Sequence, residues 1–242
     1  MKLLTKIGFL FLFTLLLGCS VENSMPTVTP LIQKNYKYLA LGDSYTIGQS
    51  VCETCRFPVQ LRDSISNYLN PTDTFTVKII ATTGWTTTDL KSAIAADTSL
   101  NGYDLVTLLI GVNNQYRNKP FSLYEQEFPE LVTMAIQRAK GNKKNVIVVS
   151  IPDYAFTPFG NGNTTISTQI DNYNAFAENY CIANNITFIT ITDITRLGLL
   201  QPELVAGDGL HPSSLAYGKF VERILPEAII KITDYHINNL IP

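Results

Sequence analysis

The chain has 242 residues, of which 45% are hydrophobic, and its 18 basic and 20 acidic side chains leave a net charge of −2. It contains no basic run and no interleaving of aromatic with basic residues, so nucleic acid is not an expected partner. The length is sufficient for one domain with a full hydrophobic core.

The first 19 residues have the layout of an export signal. Lys2 and Lys6 precede an apolar segment, residues 7–17, which is too short to span a membrane as a helix. The segment runs into Leu16-Leu17-Gly18-Cys19, which resembles the bacterial lipobox, where the cysteine becomes a lipidated N-terminus. We therefore predict an exported protein, lipid-anchored through Cys19 to the periplasmic face of a bacterial membrane or to the cell surface. The alternative is an ordinary cleaved signal with a chance cysteine.

Residues 20–35 are polar, contain two prolines and show no sustained periodicity, which is typical of a flexible tether. The folded domain is expected over residues 36–235, followed by a short C-terminal tail, residues 236–242.

Strands and helices alternate through the predicted domain. Short apolar runs predict strands at residues 38–41, 75–80, 104–110, 145–151 and 186–191. Helical spacing of apolar residues predicts helices at residues 57–69, 85–95, 124–139, 166–181 and 215–229. Pro129 is expected to kink or split the third helix. The alternation predicts right-handed βαβ units and a parallel sheet whose strands all end at one edge.

Once Cys19 is assigned to the anchor, the cysteines at positions 52, 55 and 181 remain to be interpreted. For Cys52 and Cys55, three residues apart in an exported chain, a local disulfide is the preferred interpretation and two free thiols the alternative. A four-thiolate zinc site would need a second pair, which the sequence lacks. Cys181 lies on the apolar face of a predicted helix and is interpreted as a small buried hydrophobe.

Polar residues follow four of the predicted strands at the edge where ligands bind in such sheets. They are Gly42-Asp43-Ser44, Ala81-Thr82-Thr83-Gly84-Trp85, Gly111-Val112-Asn113 and Asp208-Gly209-Leu210-His211. Ser44 is an available nucleophile, and a histidine such as His211 has its ordinary pKa near neutrality, as a general base requires. Asp208 lies three residues before His211 and can reach its Nδ1 atom within one turn. Taken singly, Ser44 could instead be a turn cap, and His211 could cap the final helix.

Together with Tyr45 and Pro212, these four blocks resemble those of the SGNH hydrolases, also called the GDSL esterase/lipase family, from about residue 38 to the last helix. The resemblance implies a flavodoxin-like three-layer α/β/α sandwich with a mainly parallel five-stranded sheet. It implies Ser44 as nucleophile, His211 as base and Asp208 as the residue that orients the base. It also implies an oxyanion hole made by the Ser44 and Gly84 backbone N–H groups and the Asn113 side-chain amide. No metal or organic cofactor is expected.

One position departs from the family pattern. Asn114 stands where the third block often has aspartate, which leaves the oxyanion donor intact but removes an acid from the local hydrogen bonding. Asp43 is interpreted as a structural partner of the turn, since adjacent side chains on an extended segment point apart. Four aromatic residues near the edge either line a pocket or simply pack: Tyr45, Phe57, Trp85 and Tyr116.

The sequence therefore predicts a serine esterase for short acyl esters. Candidate substrates are acylated glycans, lysophospholipids and other esters, with carbohydrate O-deacetylation or general carboxylesterase activity favoured. One alternative is an acyltransferase that passes the same acyl group to a sugar hydroxyl. Another is a non-catalytic surface lipoprotein that binds a ligand, against which the intact set of site residues argues. We expect a monomer.

Overall fold

The computed structural model describes residues 33–99 and 101–233 of the chain. The predicted signal, the lipidation cysteine, most of the tether and the C-terminal tail lie outside the described residues. No helix within the two described ranges combines the length and the apolar character needed to cross a bilayer.

Among the described residues, five parallel strands form a single sheet in the order β2-β1-β3-β4-β5. They are β1 (Asn35–Gly42), β2 (Thr74–Ala81), β3 (Leu105–Leu109), β4 (Val146–Val149) and β5 (Thr187–Ile189). Because the chain visits β2 at one edge before it returns to β3, the order reverses between β1 and β3, where Gly42 pairs with Leu109. Ligand crevices of open α/β sheets form at such a reversal.

The apolar strands explain why the sheet is covered on both sides. Every residue of β3 is buried, so neither face of this strand can be exposed to water. The polar side chain in the strand, Thr107, forms a 2.7 Å hydrogen bond with the buried hydroxyl of Tyr38 on β1. The buried hydroxyl of Thr107 is therefore paired, and the apolar side chains on both faces of β3 require helices over both faces of the sheet.

In the part of the chain that the structure describes, eight α-helices connect and cover the strands. They are α1 (Ser44–Ile47), α2 (Phe57–Ser66), α3 (Thr87–Ala96), α4 (Val112–Tyr116), α5 (Phe121–Arg138), α6 (Thr164–Asn184), α7 (Thr192–Thr195) and α8 (Ser214–Thr233). Helix α2 packs on α8, while α5 packs on both α3 and α6. The predicted flavodoxin-like α/β fold with a parallel five-stranded sheet is confirmed, and Cys181 is buried as predicted.

Of the two effects expected of Pro129, a kink or a split, the split does not occur, because α5 runs without interruption from Phe121 to Arg138. A proline in a helix interior removes one backbone hydrogen bond. Helix α5 nevertheless buries an apolar face formed by Tyr124, Phe128, Leu131, Val132 and Ala135. This burial outweighs the lost bond and keeps the helix continuous.

Two strands end earlier than their apolar runs. Beyond β4, the backbone N–H of Ile151 donates to the side chain of Asn174. Beyond β5, the N–H of Ile191 donates to the Ser150 hydroxyl. Side-chain oxygens thus accept the backbone hydrogen bonds that a neighbouring strand would otherwise accept. Both isoleucines remain buried although they lie beyond the ends of the strands.

Candidate active site

Ser44 is the first residue of α1, directly beyond the end of β1, and its side chain is only 3% exposed. The approach to this turn requires glycine at position 42. A Cβ atom there would lie 2.1 Å from Thr46 Oγ1 and 2.4 Å from the carbonyl oxygen of Leu109. Glycine at position 42 therefore allows the end of β1 to pack closely against Thr46, in the turn that carries Ser44.

Asp43 caps α1 and is fully buried beside Ser44. Its Oδ1 atom accepts a 3.0 Å hydrogen bond from the backbone N–H of Tyr45, which confirms the interpretation of Asp43 as a partner of the turn. The other oxygen, Oδ2, is buried with no hydrogen-bond partner among the described residues. Burial raises the pKa of Asp43 to about 7, against the lowering effect of the backbone hydrogen bonds.

Asp208 and His211 form a tight pair in the loop between α7 and α8. His211 Nδ1 lies 2.6 Å from Asp208 Oδ2, and Asp208 Oδ1 accepts from the backbone N–H groups of Leu210 and His211, each at 3.0 Å. A bridge between Val205 and Pro212 closes this loop at its base. The His211 ring is thereby held by its own loop.

The protonation state of the pair follows from its hydrogen bonds. Burial alone would raise the pKa of Asp208, but hydrogen bonds from the Ser50 hydroxyl, from His211 and from the backbone hold it well below its usual value. The carboxyl group is therefore ionised near neutrality. An ionised carboxylate only accepts hydrogen bonds, so His211 Nδ1 carries the proton and Nε2 is left free to act as a base.

One cavity of about 200 Å³ is lined by residues from the segments that follow all five strands. Its lining includes four of the predicted site residues: Ser44, Gly84, Asn113 and His211. Asp208 does not line the cavity and contacts the Nδ1 side of the His211 ring. The predicted site residues are thus gathered at the carboxyl edge of the sheet.

The two further oxyanion-hole residues, Gly84 and Asn113, are connected through the backbone of Trp85. Gly84 adopts φ +84°, a left-handed conformation that favours glycine, and a Cβ atom on it would lie 3.0 Å from Arg117 Nη2. The Asn113 Nδ2 atom donates a 3.0 Å hydrogen bond to the carbonyl oxygen of Trp85, the residue after Gly84. This bond uses one of the two amide hydrogens of Asn113 and leaves the other for a ligand.

Asn114, the departure from the family pattern, is fully buried behind Asn113. Its Oδ1 atom accepts from the Thr87 backbone N–H at 2.9 Å, and its Nδ2 atom donates to Thr87 Oγ1 at 2.6 Å. The Thr87 hydroxyl in turn donates to Glu127 Oε2 at 2.5 Å. An acid is thus present in this network after all, supplied by α5 instead of by position 114.

The four aromatic candidates separate into two groups. Tyr45 and Tyr116 line the cavity, and the Tyr45 ring lies 5.2 Å from the His211 ring. Phe57 is completely buried in the core, and Trp85 packs against the core outside this cavity.

The sequence did not reveal two further aromatic residues of the cavity, Tyr154 and Phe159. Together with Tyr116 they form an aromatic shelf, with ring centroids 6.1 to 6.2 Å apart. Both lie in the irregular segment between β4 and α6, where no periodic pattern marks a residue as lining a site. The backbone N–H of Phe159 donates to the carbonyl oxygen of Gly209, which joins the shelf to the loop of His211.

Ser50 is a further residue that the motifs did not indicate. Its hydroxyl donates a 2.7 Å hydrogen bond to Asp208 Oδ2. The structure also joins Cys52 and Cys55, close to Ser50 in the same loop, in a disulfide. Within residues 33–99 and 101–233, no three His, Cys, Asp or Glu side chains are grouped to hold a metal ion.

Known proteins resemble this chain in sequence and in fold. The model of the GDSL-like Lipase/Acylhydrolase family matches residues 40–219. Comparison with curated protein sequences gives no match.

Solved structures share the fold. A lipase/acylhydrolase from Enterococcus faecalis is 22% identical with a TM-score of 0.62, over 81% of this chain and 95% of that one. An acetylxylan esterase from Geobacillus stearothermophilus is 19% identical with a TM-score of 0.58, over 81% and 95% of the two chains. A lipolytic protein of the G-D-S-L family from Veillonella parvula is 15% identical with a TM-score of 0.62, over 79% and 97%.

The family match spans all four sequence blocks and most of the folded region, from β1 into α8. We conclude that the chain belongs to the GDSL-like lipase/acylhydrolase family and is a hydrolase.

Proposed function

We propose that this protein is a serine esterase that hydrolyses short acyl esters through an acyl-enzyme on Ser44. The observation that carries the proposal is the shared cavity of Ser44, Gly84, Asn113 and His211, with Asp208 bonded to the Nδ1 side of the His211 ring. This arrangement contains a nucleophile, an oriented base and donors for an oxyanion.

The reaction follows from the roles of these groups. His211 Nε2 takes the hydroxyl proton as Ser44 Oγ bonds to the ester carbonyl carbon, and Asp208 stabilises the resulting imidazolium. The carbonyl oxygen becomes an oxyanion that accepts hydrogen bonds from the Ser44 and Gly84 N–H groups and the Asn113 amide. The ester C–O bond then breaks, and the leaving alcohol takes the proton from His211. Water repeats these steps on the acyl-enzyme and releases the acid.

The aromatic shelf favours an ester whose alcohol carries a ring. Tyr116 and Phe159 are each 53% exposed although they line the cavity, so their faces are available to a ligand. Aromatic faces bind flat or ring-shaped groups, and the small cavity suits a short acyl chain. We therefore propose acetylated sugars as the substrate class, which agrees with the acetylxylan esterase among the similar structures.

The location of the enzyme is also a proposal. The layout of residues 1–19 supports export and lipidation at Cys19. Such an anchor would hold the esterase on a membrane outside the cytoplasm, where acylated glycans are accessible.

The test is turnover of p-nitrophenyl acetate by the wild type and by Ser44→Ala. We expect Ser44→Ala to lose at least about a thousandfold in kcat, since loss of a nucleophile removes the covalent route. Ser92→Ala, which removes an exposed hydroxyl bonded to the Thr88 carbonyl, is the matched control and should keep full activity. Equal activity of Ser44→Ala and wild type would refute the assignment of Ser44 as the nucleophile. Release of p-nitrophenol only when a sugar acceptor is present, with acetylated sugar formed in place of acetic acid, would favour the acyltransferase.

A second experiment tests the shelf. Tyr116→Ala and Phe159→Ala should raise KM for an acetylated xylo-oligosaccharide several-fold and leave KM for ethyl acetate, which lacks a ring, unchanged. An equal change for both esters would refute the assignment of the shelf to the leaving group.

A further inference from the structure

Ser50 is in direct contact with the acid of the proposed triad although none of the family motifs contains it. Its hydroxyl lies 2.7 Å from Asp208 Oδ2, the same oxygen that lies 2.6 Å from His211 Nδ1. The Asp208 carboxylate accepts only hydrogen bonds, so the Ser50 hydroxyl is the donor. Ser50 lies 158 positions from Asp208 in the chain, whereas His211 lies three positions from it.

The backbone of Ser50 is held in an unusual conformation. Its φ angle is +67°, in the left-handed region that residues other than glycine rarely occupy. Such conformations persist where the surrounding structure determines them, and they concentrate at functional sites.

Several contacts fix the loop around Ser50. The Val51 N–H donates to the Gly48 carbonyl at 3.3 Å, and Thr83 Oγ1 donates to the Gln49 side chain at 2.6 Å. The disulfide between Cys52 and Cys55 closes the segment that follows. The Ser50 hydroxyl is therefore carried by an ordered loop.

We propose that Ser50 is a positioning residue of the catalytic triad, which fixes the Asp208 carboxylate so that Oδ2 stays aligned with His211 Nδ1. Backbone N–H groups hold only Oδ1, so without Ser50 the second oxygen is held by His211 alone. The carboxylate could then rotate about its side-chain bond, and the imidazole would lose its fixed tautomer and direction. The proposal rests on the esterase function argued above.

The test compares two substitutions that both remove the hydroxyl. Ser50→Gly removes the donor and suits the left-handed φ, whereas Ser50→Ala removes the donor but keeps a Cβ atom. We expect both to lower kcat for p-nitrophenyl acetate about tenfold with KM within twofold, which is the scale of a hydrogen bond to a charged group. Ser50→Gly should unfold at the wild-type temperature or above it. Ser92→Ala serves as the hydroxyl control and should match the wild type.

A spectroscopic measurement separates positioning from a purely structural role and does not depend on turnover. The proton on His211 Nδ1 can be observed at low field by NMR in mildly acidic solution, and the chain has only two histidines to assign. We expect Ser50→Gly to shift this resonance or speed its exchange with water, while Ser92→Ala leaves it unchanged.

Wild-type kcat in Ser50→Gly, or an unchanged Nδ1 proton in that variant, would overturn the proposal. If Ser44→Ala proved as active as wild type, the esterase mechanism would fail, but the NMR comparison would still decide whether Ser50 controls the Asp208–His211 contact.

Discussion

Asn114 illustrates how a single hydrogen can determine which residue a buried position accepts. Thr87 Oγ1 has one proton, and it is donated to Glu127 Oε2. Toward Asn114 the hydroxyl can only accept, so position 114 must supply a donor there. An amide provides that donor, whereas an ionised carboxylate has none.

Asn114→Asp should therefore destabilise the fold, although aspartate is common at this position in the family pattern. A carboxylate 2.6 Å from Thr87 Oγ1 would set two acceptors against each other in a buried site. We expect a loss of about 1–3 kcal/mol in urea unfolding at pH 8 and a smaller loss at pH 5, where the new acid can be protonated. Asn142→Asp, at an exposed cap, is the control and should be neutral. Equal stability of Asn114→Asp and wild type at pH 8 would contradict this account.

Asp43 should make stability depend on pH in the direction opposite to most acids. Burial raises its pKa from 3.8 to about 7, so the folded state holds the proton more tightly than the unfolded state. Its contribution to stability is therefore complete below pH 4 and is lost as pH rises through 7.

Asp43→Asn removes this dependence. We expect the stability of the variant relative to wild type to improve between pH 4.5 and pH 8.5, on the order of 2–4 kcal/mol by urea unfolding. Asp63→Asn, at an exposed residue of α2, should show no such change. A constant difference between Asp43→Asn and wild type across this range would mean that Asp43 does not titrate there.

At the scale of elements, local pattern predicts the strands and helices but not the contacts between loops. Apolar runs and helical spacing gave every strand and long helix, because burial alone selects those residues. The hydrogen bond between Ser50 and Asp208 and the position of Phe159 depend on how irregular loops fold back across the sheet edge. No periodicity encodes that path, so these parts of the site required the structure.

The disulfide of the Ser50 loop should affect activity more than stability. Cys52 and Cys55 are separated by only three positions, and closing so short a loop stabilises by no more than about 2 kcal/mol. The same bond holds the segment next to Ser50. The double variant Cys52→Ser/Cys55→Ser should therefore lose several-fold in kcat with a small drop in unfolding temperature. Dithiothreitol should lower wild-type kcat and leave the double variant unaffected; a wild type indifferent to the reductant would contradict this expectation.

At the scale of the whole molecule, the hydrolase domain and the proposed anchor are different parts of the chain. All proposed catalytic and oxyanion-hole residues belong to the compact unit that begins at Gln33. The alternation of strands and helices predicted the edge at which these residues meet, since parallel topology brings strand ends together wherever they lie in the chain.

Cys19→Ala should consequently move the protein from the membrane to the soluble fraction without changing kcat/KM for p-nitrophenyl acetate. Acylation of Cys19, as proposed, would attach the protein to a bilayer, and the described residues that line the cavity belong to the other unit. Fractionation of cells, followed by esterase assay of each fraction, measures both effects. Continued membrane association of Cys19→Ala would contradict lipidation at this residue.

The hydrogen bond from Ser50 to Asp208 joins residues that are 158 positions apart in the chain. Contacts of such long range form slowly, because the entropy of closing a large loop must be overcome first. Renaturation from urea should therefore restore helical circular dichroism before it restores ester hydrolysis. Full activity would return only once the loop of Ser50 and the loop of Asp208 have met.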